Sequence, residues 1–309
     1  MHDFSLSKTN SPERVLHFAQ FARNTVPAKS QKCDHFRKGA LDLLIYPYRA
    51  LGFTAAILLV TTGQAQAFDL VSIPAGVAVL GDANGDANEV VKTVRMPAFK
   101  LMRNEVTNQQ FARFVAATKY QTTVEKTRQG YVWSRKWQHI KGADWRHPQG
   151  PQSNIAGLEN HPVVQVSGID ALAFCRFYGM RLPSQDEWEY AARGSTSRRF
   201  PWGNNYTPAS LTRRANAGTI ACCAASDRDG FLRTAPVGSY PLGRSPFGLD
   251  DMAGNVWEWT SSRFPGAPGK QIIRGGGWGN NPYCLRTAYR HGNPPDIGLD
   301  MVGIRCAAD

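Results

Sequence analysis

From Arg193 to Asp309, glycine, proline or asparagine returns every few residues, and helix-friendly runs are few. Glycine costs helix stability and proline breaks the ladder, so such a chain does not build a helical bundle. Long loops bury little apolar surface per residue and must offset their ordering entropy with internal ties, of which a bound metal ion is a common kind. The 309 residues include 29 Gly, 19 Pro and 8 Trp, and 42% are hydrophobic, ample for one sizeable core or at most two small ones.

The first 67 residues read as a separate N-terminal extension and signal peptide, and the folded part is expected over 68–309. Arg49 precedes an apolar run, Ala50 to Val60, followed by the small-x-small triplet Ala65-Gln66-Ala67. The run is short for a bilayer span of about 20 residues. Cleavage near Ala67 would place the mature chain in the periplasm or outside the cell. The alternative is an uncleaved leader acting as a membrane anchor, the only membrane contact expected.

Net charge is +12; without the eight Lys/Arg and four Asp/Glu of the leader, 28 basic and 20 acidic residues remain, or +8. The basic residues are scattered, with no stripe or motif for nucleic acid, so an acidic partner protein or an anionic surface is the expected complement. Six cysteines are present, and cleavage would remove Cys33 and leave five. In an oxidising compartment that implies one or two disulfides and a leftover thiol. The sequence leaves the pairing of Cys222, Cys223 and Cys284 open.

Phe68 to Pro74 alternates like an opening strand. Thr107-x-x-Gln110 is a capping box that predicts a helix over about 107–118. Val163 to Val166 reads as a short strand. Ser167-x-x-Asp170 opens a second helix, ending near Gly179, with Ile169, Leu172, Ala173 and Phe177 expected on its buried face. Ser184-x-x-Glu187 opens a third. After Arg193 mostly loops are expected. Trp257-Glu258-Trp259 sets a carboxylate between two large aromatics, where it must be paired, hydrogen-bonded or metal-bound.

The segments "HPVVQVSGIDALAFCRFYGMRLPSQDEWEYAARG", "FPWGN", "DGFLRTAPVGSYP", "GLDDMAGNVWEWTS", "RGGGW" and "GIRCAAD" occur in that order. Together the chain resembles the formylglycine-generating enzyme (sulfatase-modifying factor) family. The resemblance implies an α+β fold: a single, loop-rich, C-type-lectin-like domain. It also implies two structural calcium sites, one from Asn216 and Asp229 with the carbonyls of Ala217 and Phe231, the other from Asp251 and Glu258 with the carbonyls of Gly254 and Val256. Hard oxygen donors of this kind suit Ca2+. Asp251 stands where the family usually has Asn. The resemblance further implies a Cys175–Cys306 disulfide.

The family's generating enzymes oxidise a substrate cysteine with oxygen, holding Cu(I) between two cysteines, two and seven residues past the last residue of an R-G-G-S-W motif. Here the motif is Arg274-Gly275-Gly276-Gly277-Trp278, Asn280 stands two past Trp278, and only Cys284 remains, six past it. One thiolate cannot form a two-thiolate copper site, so copper is not expected. The sequence therefore points to an exported accessory or maturation factor for a periplasmic enzyme, such as a nitrite reductase, or for a pathway. It would bind a protein or peptide in a groove of Trp278, Asn280, Tyr283, Arg286 and Arg290, and is expected to be a monomer. The alternative is an oxygen-dependent oxidoreductase of the formylglycine-generating type, acting on a cysteine or other side chain. Its catalytic group would be Cys284, as an exposed thiolate favoured by Arg286 or Arg290. A sugar-binding lectin role finds neither a Glu-Pro-Asn nor a Gln-Pro-Asp triplet.

Overall fold

The computed structural model describes residues 68–218 and 223–309. In chain order the elements are β1 Leu70–Ile73, β2 Gly76–Leu80, β3 Lys92–Met96, β4 Phe99–Met102, α1 Asn108–Thr118, α2 Thr123–Thr127, β5 Gly130–Ser134, β6 Lys136–His139, α3 Gly168–Phe177, α4 Gln185–Arg193, α5 Pro208–Leu211, β7 Trp257–Phe264, β8 Ala267–Arg274, β9 Arg290–Asn293, β10 Gly298–Leu299, β11 Val302–Gly303 and β12 Ala307–Ala308. No helix among the described residues is long and apolar enough to cross a membrane. The leader lies outside the described residues.

Local chemistry starts each long helix where the sequence places it. Thr107, Ser167 and Ser184 accept from the amides of Gln110, Asp170 and Glu187, whose side chains bond back to the cap amides. Each box satisfies two otherwise orphaned helix donors and stabilises by about 1 kcal/mol. The buried face of α3 differs from expectation. Asp170, Ala171, Phe174 and Cys175 face inward, whereas Ile169 and Phe177 are about half exposed. The inward face is chosen by the disulfide Cys175–Cys306 and by Phe174, which packs with Phe111 and Phe114 of α1.

Among the described residues four sheets assemble in the orders β1-β4-β12, β10-β5-β6, β11-β7-β8-β9 and β2-β3. Residues 163–166 form no strand: Gln165 takes a left-handed φ of 57°, and the Val163 amide instead donates to the Val106 carbonyl. The run after Arg193 is less irregular than expected, because β7 and β8 are eight-residue strands paired antiparallel. One core cluster holds Phe111, Phe174, Trp259 and Trp278 between helices and strands; a second gathers Leu80, Leu101 and Trp188 under β1–β4.

Candidate functional site

Alternation along β7 separates the three residues of the Trp-Glu-Trp motif. Trp257 and Trp259 point to one face of the strand and Glu258 to the other. Trp259 donates its indole N–H to the Val166 carbonyl at 3.0 Å, and Trp257 donates to Asn280 Oδ1 at 2.8 Å. On the opposite face Glu258 accepts from Trp188 Nε1 at 2.6 Å and from Arg305 at 2.7–3.0 Å. Arg305 also donates to the carbonyls of Met102, Arg103 and Asp250, so its guanidinium is fully used.

Beyond β8, Gly275 and Gly276 turn the chain with φ of 98° and 75°. Gly277 stands at the serine position of the motif. A Cβ there would lie 2.3 Å from Met301 Cγ, so Met301 fills the space a serine side chain needs. Asn280 is buried: its Oδ1 accepts from Trp257 Nε1 and from the Gly277 amide at 2.9 Å, and its Nδ2 reaches Cys223 Sγ at 3.4 Å. Cys284 is a buried, unbridged thiol within hydrogen-bonding reach of Tyr289. Burial pushes its pKa up to about 11, and the opposing influence of Tyr289 and Arg286 does not offset it. The expected exposed, lowered thiolate is thereby overturned. Cys284 also forms no bridge to the Cys222–Cys223 pair; Cys223 is itself disulfide-bonded, and Cys222 lies outside the described residues.

The expected groove is closed by the loop joining β2 and β3. Arg286 is buried, holding Glu89 in a two-pronged ion pair at 2.7 Å and Asp82 at 2.9 Å. Arg290 donates to Gln185 Oε1 at 2.5 Å and to the Asn88 carbonyl. Trp278 is a core residue, its N–H on the Asp300 carbonyl and Arg233 stacked 4.9 Å from the ring. Of the five residues only Tyr283 is exposed, and its hydroxyl donates to Asp86 at 2.6 Å. Sequence reasoning missed Asp82, Asp86 and Glu89 because they lie some two hundred residues from their partners.

Residues 57–309 match the family model described as a sulfatase-modifying factor enzyme 1-like domain. The formylglycine-generating enzyme of Streptomyces coelicolor is 38% identical over 285 residues, covering 77% of this chain and 88% of the relative. The chain belongs to the formylglycine-generating enzyme family. A mouse relative, named inactive C-alpha-formylglycine-generating enzyme 2, is 36% identical over 279 residues, covering 80% of this chain and 87% of its own. The solved structure of PvdO from Pseudomonas aeruginosa superimposes with a TM-score of 0.58 at 24% identity, covering 78% of this chain and 94% of that one. The fold is thus the α+β, C-type-lectin-like fold of the family.

Within the family's frame the two expected cation sets differ in fit. Asn216 Nδ2 donates to the Arg233 carbonyl and to Asn255 Oδ1, which leaves buried Oδ1 without a hydrogen-bond partner. Asp229 accepts from the amides of Ala217 and Phe231, and burial raises its pKa. A buried oxygen without a hydrogen-bond partner, one residue before the amide that holds a carboxylate, suits a hard cation. In the second set Glu258 is already held by Arg305, so an ion there would share it. Asp251 accepts from the Gly238 amide at 2.6 Å, and burial lifts its pKa to about 6. Neighbouring Glu105, missed from sequence, has one oxygen with no conventional hydrogen bond, 3.9 Å from Arg305 Nη2, and a pKa raised first by burial and then by Asp251. Gly254 lets the turn pass, since a Cβ there would lie 2.3 Å from the Asn216 carbonyl oxygen. Among the described residues no three Asp, Glu, His or Cys side chains converge as a metal group, so backbone carbonyls such as those of Ala217, Phe231 and Val256 would have to complete either set.

Proposed function

We propose that this member of the formylglycine-generating enzyme family is an exported accessory or maturation factor. It acts on a periplasmic enzyme or pathway by binding a protein or peptide, and not by two-thiolate copper oxidation. One observation carries the reading: the position of the first copper thiolate is Asn280, whose amide is anchored by Trp257 and the Gly277 amide. A neutral amide so engaged is a poor partner for Cu(I), and Cys284 alone supplies a single sulfur. Cys223, whose sulfur lies 3.4 Å from Asn280 Nδ2, is already bonded in a disulfide. The relative whose name calls it inactive supports the same reading. Export is supported by the apolar run before Ala65-Gln66-Ala67 and by a structural disulfide, which persists in oxidising compartments.

A structural cation, calcium by the family resemblance, would sit on Asn216 and Asp229 with the carbonyls of Ala217 and Phe231. It would supply positive charge that ties a loop segment with little apolar burial of its own.

The test is aerobic incubation of the purified chain, loaded with Cu(I), with a sulfatase-type cysteine peptide, read by mass spectrometry. Unmodified peptide is expected. Catalytic appearance of formylglycine overturns the proposal and restores the oxidoreductase alternative centred on Cys284.

A further inference from the structure

The β5–β6 hairpin carries chemistry that the site above does not use. Trp133 packs edge-on against Trp137 across the strands at 5.4 Å, and Tyr131 lies 5.5 Å from His139. From Lys126 to Ala143 the sequence holds five basic residues, Lys126, Arg128, Arg135, Lys136 and Lys141, and no acidic one. All five are exposed, and none enters an ion pair among the described residues.

Basic residues on a hairpin are ordinarily just solvated. Here the backbone gives them a direction. β6 is the outer strand of the order β10-β5-β6. The Ile140 amide donates to the Gly130 carbonyl, which sets the alternation: residues 136, 138 and 140 turn their main-chain groups toward β5. Trp137 and His139 turn theirs to the open side. The platform is firmly mounted, because Asp300 accepts from the Trp133 amide at 3.1 Å and pairs with Arg233, which also reaches the Trp133 carbonyl at 3.3 Å.

An open strand edge is a template for another extended chain. Short length and positive charge blunt such an edge against self-pairing, and against a second copy of this +12 chain the repulsion holds. Toward a strand bearing carboxylates the same cations attract and set the pairing. Nucleic acid and lipid headgroups answer the charge but bring no peptide donors and acceptors for the main-chain groups of Trp137 and His139.

We infer that the open edge of β6, flanked by Arg135, Lys136 and Lys141, takes up an extended acidic segment of a partner protein by strand addition. The inference uses none of the residues that touch Cys284, so it stands whether or not copper chemistry is restored there.

The test uses the purified chain and a fluorescent alternating Glu–Val peptide, with the matching Lys–Val peptide, a single-stranded oligonucleotide and phosphatidylglycerol vesicles as comparison probes. The Glu–Val peptide should bind, more weakly as salt rises, and should slow hydrogen exchange at the amides of Trp137 and His139. The Lys–Val peptide should not bind. Arg135→Asn with Lys136→Glu should weaken binding by about tenfold or more. Asn suits the left-handed φ of 60° at position 135. His139→Pro removes an outward amide without touching the ladder to β5 and should weaken binding at unchanged charge. Absence of Glu–Val binding overturns the inference. So does binding of oligonucleotide or vesicles at equal strength with no effect of His139→Pro, which would mark a general polyanion surface. If a variant has lost its native melting transition, exchange protection in the unmodified chain decides the matter alone.

Discussion

Glu258 and Arg305 meet through two parallel contacts, Nη2 to Oε1 at 2.7 Å and Nε to Oε2 at 2.9 Å, and both side chains are fully buried. Glu258 lies on β7 and Arg305 two residues past β11, whose Val302 and Gly303 pair parallel with Trp257 and Glu258. Removing one member leaves the other charged and without its partner. Glu258→Gln or Arg305→Met should each cost about 3–5 kcal/mol in urea unfolding, while the doubly apolar Glu258→Leu/Arg305→Met should lose less than the two singles combined. Additive losses would show that the ion pair is not the relevant coupling.

Asp300 predicts a pH dependence. Burial raises its pKa from 3.8 to about 7, and the partly opposing Arg233 does not restore it. Between those values the folded chain keeps a proton that the unfolded chain has released. Its contribution is therefore present at acid pH and lost as pH rises toward 7. Asp300→Asn should flatten the stability–pH slope over that window, leaving the part due to Glu105 and Asp251, whose pKa values are raised in the same sense. A slope identical to that of the parent would remove Asp300 from the account.

Cys284 should be slow to react. With its thiol pushed up to about 11, alkylation of Cys284 by iodoacetamide near neutral pH, followed by peptide mapping, should lag far behind that of the same residue in the unfolded chain. Folding stability should fall as pH climbs from 9 toward 11, where the unfolded thiol ionises and the buried one does not. Rapid modification at neutral pH would reopen a nucleophilic role.

The Cys175–Cys306 bridge closes a sequence separation of 131 residues. Replacing both cysteines with alanine should cost about 2–5 kcal/mol, measured by denaturant unfolding under non-reducing conditions. A smaller loss would mean that the reduced unfolded chain is already constrained.

The orphaned Asn216 oxygen predicts a response to chelation. At calcium about a hundredfold above its Kd, binding stabilises by about 2.7 kcal/mol, so a chelator should lower Tm by roughly 5–10 °C. Asn216→Ala or Asp229→Asn should abolish most of that response. Melting unaffected by chelator would sink the first cation set.

What could be read early was local. The boxes at Thr107, Ser167 and Ser184 fix helix starts through contacts three residues apart, and all three starts agree with the structure. The orientation of α3 was not legible, because the apolar residues Ile169 and Phe177 give a plausible stripe and only the distant Cys306 chooses the other face. The β7–β8 hairpin carried a signal that went unread: Phe264 pairs with Ala267 across the two-residue turn Pro265-Gly266. At the site, the loss of paired thiolates was plain from Asn280. The closure of the groove was not, since it depends on acidic residues of the β2–β3 loop whose partners come nearly two hundred positions later.

β4 lies between the first strand of the described fold and the last, with Leu101 opposite both Val71 and Ala307. Arg305, Cys306 and Ala307 follow one another, so three long-range closures wait on a few consecutive residues. During synthesis the early strands emerge with one flank bare, Glu258 arrives before its counter-charge, and Cys175 before its mate. Final locking is thus a late event, and trimming upstream of Arg305 would undo all three closures at a stroke.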